Sequence, residues 1–323
     1  MSTSSAPQDS ALIVGRMTGV GLDRDAALIS TLLEGESLST DWRHPRSLPL
    51  RKRLPFPYTP RHKLLIYLER AFRSWHRNAE KTVLIPNQER FPRRHLSRLR
   101  SIDAIFCKSH HATEVFSAHH PNAHYLGFTS EDRKLPDLKP DYSRFFHLAG
   151  HSTLKGTDAV LEIWRRNPKW PTLTLVIHPH NTPESIPANV ELISRHLDED
   201  ELLQLQNSCG IHLCPSRSEG WGHYIVEALS CAAVTITTDA PPMNELVTPD
   251  RGILVPYDRS EPRHLGTNFH VITDKLEAAI SKILTTPETE LAALGTNARQ
   301  WFETNDRDFR QRFHDLTSNL LST

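Results

Sequence analysis

The chain has 323 residues, 38% of them hydrophobic and 24% charged, with 38 Lys and Arg balanced by 38 Asp and Glu. No apolar stretch approaches the ~18 residues that a membrane-spanning helix needs, which excludes that class. The length exceeds one ordinary domain, so two domains of roughly 130–180 residues are expected. Met1 to Ser10 lacks the basic and apolar regions of a signal peptide and reads as a short disordered lead. Ala11 to Val14 reads as a strand that feeds a turn containing Gly15, Gly19 and Gly21. Asp23 to Glu34 then reads as a helix, with Leu22, Ala26, Ile29 and Leu33 spaced for one face.

Residues 41–60 are rich in Pro and Arg and read as a long surface loop. Lys63 to Ala79 reads as a helix. Thr82 to Ile85 is a short buried strand ended by Pro86, followed by strands at Ala104 to Cys107 and His124 to Gly127. Strands alternating with helices predict a parallel α/β sheet. Residues 130–143 are polar and contain Pro136 and Pro140, which marks a linker between a first domain, 11–135, and a second, 143–305. The pattern then restarts. Phe145 to Ala149, Leu173 to Ile177, Asn189 to Ile193, Ile211 to Cys214, Val234 to Thr237 and Gly252 to Val255 are predicted strands. Thr157 to Arg166, Glu199 to Asn207, His223 to Cys231, Asp274 to Leu284 and Glu288 to Glu303 are predicted helices. Residues 306–323 form a last helix, expected to pack on the first domain.

The most informative segment is Pro215-Ser-Arg-Ser-Glu-Gly-Trp-Gly-His-Tyr-Ile-Val-Glu-Ala228. A strand, a glycine turn and a helix start make an anion site, because the first helical N–H groups have no partner within the helix. Two carboxylates, Glu219 and Glu227, stand beside it. That combination suits a ligand with both phosphate and hydroxyl groups, and a sugar nucleotide carries both.

Three blocks together resemble the retaining, nucleotide-sugar-dependent glycosyltransferases of group 1, the glycogen-synthase-like and mannosyltransferase-like enzymes with the GT-B fold. They are Gly150-His-Ser-Thr-Leu-Lys-Gly156, the Glu-x7-Glu segment from Pro215 to Ala228, and Asp239-Ala-Pro-Pro-Met-Asn-Glu-Leu-Val247 leading to Gly252. The likeness covers the C-terminal half in order; the N-terminal half joins it only through Gly19-Val-Gly21 and the placing of its strands. The resemblance implies an α/β protein of two Rossmann-like domains facing a central cleft, acceptor domain first and nucleotide-sugar domain second. It further implies that Glu219 faces the donor sugar and Glu227 the ribose hydroxyls, since a carboxylate accepts two hydrogen bonds from a diol. Gly220, Trp221, Gly222 and His223 would present N–H groups to the sugar and diphosphate. Lys155 would neutralise the diphosphate, and Glu245 would stand near the donor. Many members carry an arginine near the first glycine of the lysine block; here His151 and Ser152 occupy that place, and Arg217 is the candidate substitute.

In the first domain, Asn87, Gln88 and Glu89 follow a buried strand at the sheet edge where ligands collect. They are placed to meet the transferred sugar or its acceptor. Lys108-Ser109-His110-His111 follows the next strand at the same edge, with His110 or His111 able to reach a ligand there. The 19 histidines form no convincing metal set. Asp198-Glu-Asp200 reads as a helix N-cap and acidic first turn rather than a metal motif. The cysteines Cys107, Cys209, Cys214 and Cys231 lack paired metal spacing and fit buried thiols in a reducing cytoplasm. No metal and no cofactor is expected, the nucleoside-diphosphate sugar being a substrate.

Charge is uneven. Residues 1–140 carry 22 Lys and Arg against 14 Asp and Glu, and the remainder carries 16 against 24. The excess lies in Arg43–Lys63 and Arg90–Arg100, which points to an anionic partner for the first domain or to a solvated basic face. Trp42, Leu48, Leu50, Leu54, Phe56 and Tyr58 interleave with the first of these, a pattern suited to an anionic membrane surface. The leading expectation is sugar transfer to a carbohydrate or glycolipid acceptor in bacterial polysaccharide or glycolipid assembly, in the cytoplasm or at the inner membrane surface. Two alternatives stay open: a transferase acting on a nucleic-acid base, and a catalytically degraded, sugar-nucleotide-binding partner protein.

Overall fold

A computed structural model describes residues 8–16, 21–47 and 62–323. Gly19 and the apolar residues Leu48 to Tyr58 of the basic segment lie outside the described residues. The chain divides into two compact units, Met1–Phe128 with Arg263–Gly266 and Arg307–Thr323, and Thr129–Pro262 with Thr267–Asp306. Among the described residues, no helix is long and apolar enough to cross a membrane.

The first unit holds a parallel sheet of strand order β2-β1-β3-β4-β5-β6. Its strands are β1 (Gln8–Val14), β2 (Ser39–Arg43), β3 (His62–Glu69), β4 (Ala79–Pro86), β5 (Ala104–Cys107) and β6 (Ala123–Tyr125). Helix α1 (Gly21–Gly35) connects β1 to β2, and α2 (His110–Ser117) connects β5 to β6. The expected helix over 63–79 is instead β3 followed by a 3-10 turn at Arg73–Asn78. The reason is the continuous run Leu64-Leu-Ile-Tyr-Leu68, every residue of which is buried. A strand covered on both faces shows no alternation, so its pattern does not differ from that of a short buried helix. Residues 41–43 of the expected loop instead complete β2.

The second unit repeats the architecture with strand order β12-β11-β10-β7-β8-β9, again all parallel. Its strands are β7 (Asp141–Gly150), β8 (Leu173–Ile177), β9 (Val190–Ile193), β10 (Cys209–Cys214), β11 (Val234–Thr238) and β12 (Gly252–Val255). The helices are α3 (Thr157–Arg166), α4 (Glu199–Ser208), α5 (His223–Ser230), the short α6 (Met243–Leu246) and α7 (Thr273–Ile283), and a 35-residue helix α8 (Glu288–Ser322) ends the chain. Asp198 caps α4: its carboxylate accepts the Glu201 N–H at 2.8 Å, and the Glu201 carboxylate accepts the Asp198 N–H at 3.3 Å. Sequence reading missed the hairpin of β13 (Tyr257–Arg263) and β14 (Gly266–Val271). The first of these strands is polar and mostly exposed, so it has no apolar alternation to reveal it. All four cysteines are buried free thiols.

Two histidines sit at the centre of this second sheet. On β7, His147 Nδ1 lies 2.7 Å from the Leu213 carbonyl, which only accepts, so Nδ1 carries the proton and Nε2 faces the Thr157 hydroxyl at 2.9 Å. On β10, His212 Nε2 donates to the carbonyls of Gln206 and Cys209 at 3.0 and 3.1 Å. Burial pushes both rings down to about 4. Their unfolded pKa is higher, so on acidification the unfolded chain takes up protons first. Stability is therefore lost as pH falls from about 6.5 towards 4, by up to about 1.4 kcal/mol per pH unit for each ring. Urea unfolding as a function of pH should show this loss, and His212→Asn should make it shallower.

Candidate functional site

In the second sheet the strand order reverses between β7 and β10, neighbours that lie far apart in sequence. Ligands of open parallel sheets bind at such a reversal, beyond the carboxyl ends of the strands. The two loops that emerge there are the lysine loop (151–156) and the glutamate loop (215–222). They touch backbone to backbone. Gly156 has φ +71°, and a Cβ added there would stand 2.3 Å from the Pro215 carbonyl oxygen. The Arg217 N–H donates to the Leu154 carbonyl at 2.8 Å. From β11, the hydroxyls of Thr237 and Thr238 donate to the carbonyls of Cys214 and Ser216 at 2.7 and 2.6 Å. The glutamate loop is thus pinned from both sides.

This contact sets the charged groups. Lys155 Nζ lies 2.7 Å from Glu219 Oε1 and 3.5 Å from the centroid of the Tyr224 ring, on its face. Both charged side chains are largely buried, 15% and 14% exposed. The Ser216 hydroxyl donates to the same Glu219 oxygen at 2.5 Å, and Tyr224 OH stands 2.5 Å from Ser216 Oγ. With the Ser216 proton committed to Glu219, the phenol must be the donor in that second bond. Burial, followed by the nearby acidic groups, raises the Tyr224 pKa, which keeps the donor in place. An ammonium has three N–H groups; only one is given to Glu219, so Lys155 can also meet an anion. Gly222, at φ +109°, turns the chain into α5, whose first N–H groups open on the same loop.

Glu227 lies on α5, 2% exposed. Gln206 Nε2 donates to its Oε2 at 3.1 Å, and Gln206 Oε1 accepts from Arg133 Nε at 2.9 Å. Arg133, in the polar stretch read as a linker, is itself buried. The Ser230 hydroxyl accepts the Arg133 N–H at 3.0 Å and donates to the Glu227 carbonyl at 2.7 Å. An arginine and an amide thereby orient the second carboxylate of the pair. His223 Nδ1 lies 2.8 Å from the Ser130 hydroxyl. Ser130, Arg133, Gln206, Ser216 and Tyr224 were not singled out from sequence. Only the presence of Ser216 and Tyr224 within the Pro215 to Ala228 segment signalled any of them.

Residues 183–301, which include both glutamates, match the family model for glycosyl transferases group 1. That segment of the second unit is similar to the family. No curated protein matches the sequence. Solved structures match it over nearly its full length. Sucrose-phosphate synthase from Thermosynechococcus elongatus superposes with a TM-score of 0.71 at 13% identity, over 97% of this chain and 99% of that chain. HepE from Anabaena in complex with UDP gives 0.69 at 15% identity, over 96% and 100%. A glycosyltransferase from Rickettsia africae gives 0.70 at 12%, over 97% and 98%. At such identities the likeness is one of fold, and that fold is GT-B.

Within the second unit, the other candidate residues take varied positions. His151 stacks on His178 with ring centroids 3.7 Å apart, and the Ser152 hydroxyl accepts the Leu154 N–H at 3.2 Å, so both shape the lysine loop. Arg217, the candidate substitute arginine, forms an ion pair with Asp158 at the start of α3. Gly220 and Trp221 are buried, and Glu245 sits half-buried on α6. In the first unit, Gly21 begins α1. Asn87 and Glu89 stand where β4 ends. Lys108 forms a buried ion pair with Asp25 at 2.5 Å, and His110 stacks on Tyr125 at 3.8 Å.

Two substitutions test this geometry through stability. Gly156→Ala combines a left-handed backbone with a clash against the Pro215 carbonyl and should cost more than about 1–2 kcal/mol in urea unfolding. Gln206→Leu removes a hydrogen bond to a buried carboxylate and one to a buried guanidinium, and should cost about 1.5–3 kcal/mol by the same measurement.

Proposed function

We propose that this chain is a retaining glycosyltransferase that moves a sugar from a nucleoside diphosphate to an acceptor hydroxyl. The observation that carries the reading is the placing of Lys155, Glu219 and the start of α5 around one strand-order reversal, with Glu227 on that same helix. Lys155 and the first N–H groups of α5 meet the diphosphate; Gly220, Trp221, Gly222 and His223 lie along that turn. Glu219 takes hydroxyls of the donor sugar, and Glu227 takes the ribose diol. His151, Ser152, Arg217 and Glu245 border the same donor site. Asn87 and Glu89, at the ligand edge of the first unit's sheet, take the acceptor side.

As the bond from the anomeric carbon to the diphosphate breaks, negative charge grows on the leaving oxygen. Preorganised positive potential at that atom is usually the largest catalytic contribution. A fixed ammonium and helix N–H groups supply it there without reorganising. The acceptor oxygen attacks the same face, and the leaving oxygen takes its proton, so the anomeric configuration is kept without a protein nucleophile. On this reading neither metal nor cofactor is required. The acceptor is a carbohydrate or glycolipid hydroxyl of bacterial surface assembly. The HepE complexes contain UDP and UDP-glucose, which makes uridine nucleotides the first donors to assay.

Lys155→Ala and Glu227→Ala should each lower turnover by ~10²-fold or more, the scale of losing one charge-stabilising contact. A panel of sugar nucleotides screened by thermal shift identifies the donor for that assay, because specific binding must stabilise the fold. Near-normal turnover in both variants would reject the assignment. Donor binding with no transfer to any acceptor would instead favour the partner-protein reading.

A further inference from the structure

The first unit has its own strand-order reversal, between β1 and β3. Arginines crowd it. Arg16 follows the end of β1, and Arg70 follows the end of β3. Arg94 and Arg98 come from the 3-10 segment Arg93–Ser101. Arg263 and His264 come from the tip between β13 and β14, whose residues 263–266 belong to this unit. That tip is fastened to the end of β4: the Leu265 N–H donates to the Gln88 carbonyl at 3.2 Å, and a Cβ on Gly266 would lie 3.1 Å from Glu89 Cα.

The cluster is short of negative charge. His95, buried in its midst, is held down to about 4 by burial and then by Arg98, Arg94, Arg70 and Arg16. His264 is lowered by burial and then by Arg263, Arg70, Arg94 and Arg90. Arg70 and Arg94 lie near both rings. Arg98, whose Nη1 donates to the Ala71 carbonyl at 3.0 Å, is lowered by burial and by Arg73, Arg94 and Arg70. Two acids of this unit pair with arginines: Glu69 with Arg70 at 2.9 Å, and Glu89 with Arg90 at 3.7 Å. Arg263 Nε and His95 Nδ1 are buried and bond to nothing among the described residues. Glu69 and His264 both adopt left-handed backbone, φ +66° and +57°. Arginines in excess of their acids and left-handed backbone at one spot are costs that a binding site retains.

We propose that Arg70, Arg94 and Arg263 form the centre of a phosphoryl-binding site in the first unit, which takes a phosphate carried by the acceptor. Guanidinium groups match phosphate geometry with paired N–H donors. Asn87 and Glu89 lie at the adjoining end of β4, so the phosphate would anchor an acceptor whose hydroxyl is presented there. The acceptor role rests on the glycosyltransfer reading; the phosphoryl site does not.

The test uses the full chain and two forms of the same chemistry. Calorimetry with glucose 6-phosphate probes a soluble phosphomonoester; co-sedimentation with phosphatidylglycerol against phosphatidylcholine vesicles probes a lipid phosphodiester. At least one phosphate probe should bind. Arg94→Gln, at an exposed position that folding does not need, and Arg70→Gln should each weaken it about tenfold or more. Lys155→Ala should leave it unchanged, which separates this site from the proposed diphosphate site. Retained phosphate binding with no sugar transfer would reject the proposed function and leave this site standing. No binding, binding indifferent to Arg94→Gln and Arg70→Gln, loss in Lys155→Ala instead, or binding to duplex DNA alone would overturn it.

Discussion

The second unit depends on a close approach of backbone to backbone. Gly156 and the Pro215 carbonyl meet at a distance that no side chain could share. Because β7 and β10 are neighbouring parallel strands, their loops leave the sheet side by side, and the glycine lets them close together. The charged contact at the strand-order reversal follows from that closure. It brings Lys155 to Glu219 across 64 positions of sequence and sets both beside the glycine turn into α5. A packed interior would not tolerate this acid and this base unpaired, so the pair also balances its own burial.

The two units treat charge in opposite ways. In the second, each charged group at the site is answered: Lys155 by Glu219, Glu219 by Ser216, Glu227 by Gln206 and, through it, Arg133. Such a network holds geometry, because each member loses a partner if another moves. In the first unit, the arginines at the sheet reversal outnumber the acids, and two buried nitrogens among them lack partners within the described residues. One site is internally satisfied and oriented; the other has positive potential left over. Part of the basic excess of the N-terminal half, Arg16, Arg70, Arg94 and Arg98, thus has a location.

Legibility varied with how local the signal was. Leu173–Ile177 and Thr157–Arg166 were bounded correctly, because turn residues flank a short apolar strand and an amphipathic helix shows its period. Strand β3 was missed because complete burial erased its alternation, and β13 because exposure did the same. Lys155, Glu219 and Glu227, which the structure gathers in the second unit, stood out in two short contiguous blocks. Gln206 and Arg133 did not, since their partnership joins positions 73 apart with no pattern in either neighbourhood. Arg217 stood out by proximity to the motif, and only the structure shows its ion pair with Asp158 at the start of α3.

The sequence alone was enough to establish two α/β units and, through its three blocks, the glycosyltransferase likeness and the pair of carboxylates. Those depend on periodicity and on short contiguous motifs, which a linear chain displays. Which side chains hold the carboxylates, and where the scattered arginines of the first unit converge, were decided only by tertiary structure. Strand order determines which loops become neighbours, and the physical contacts that follow join residues whose separation along the chain carries no trace of them.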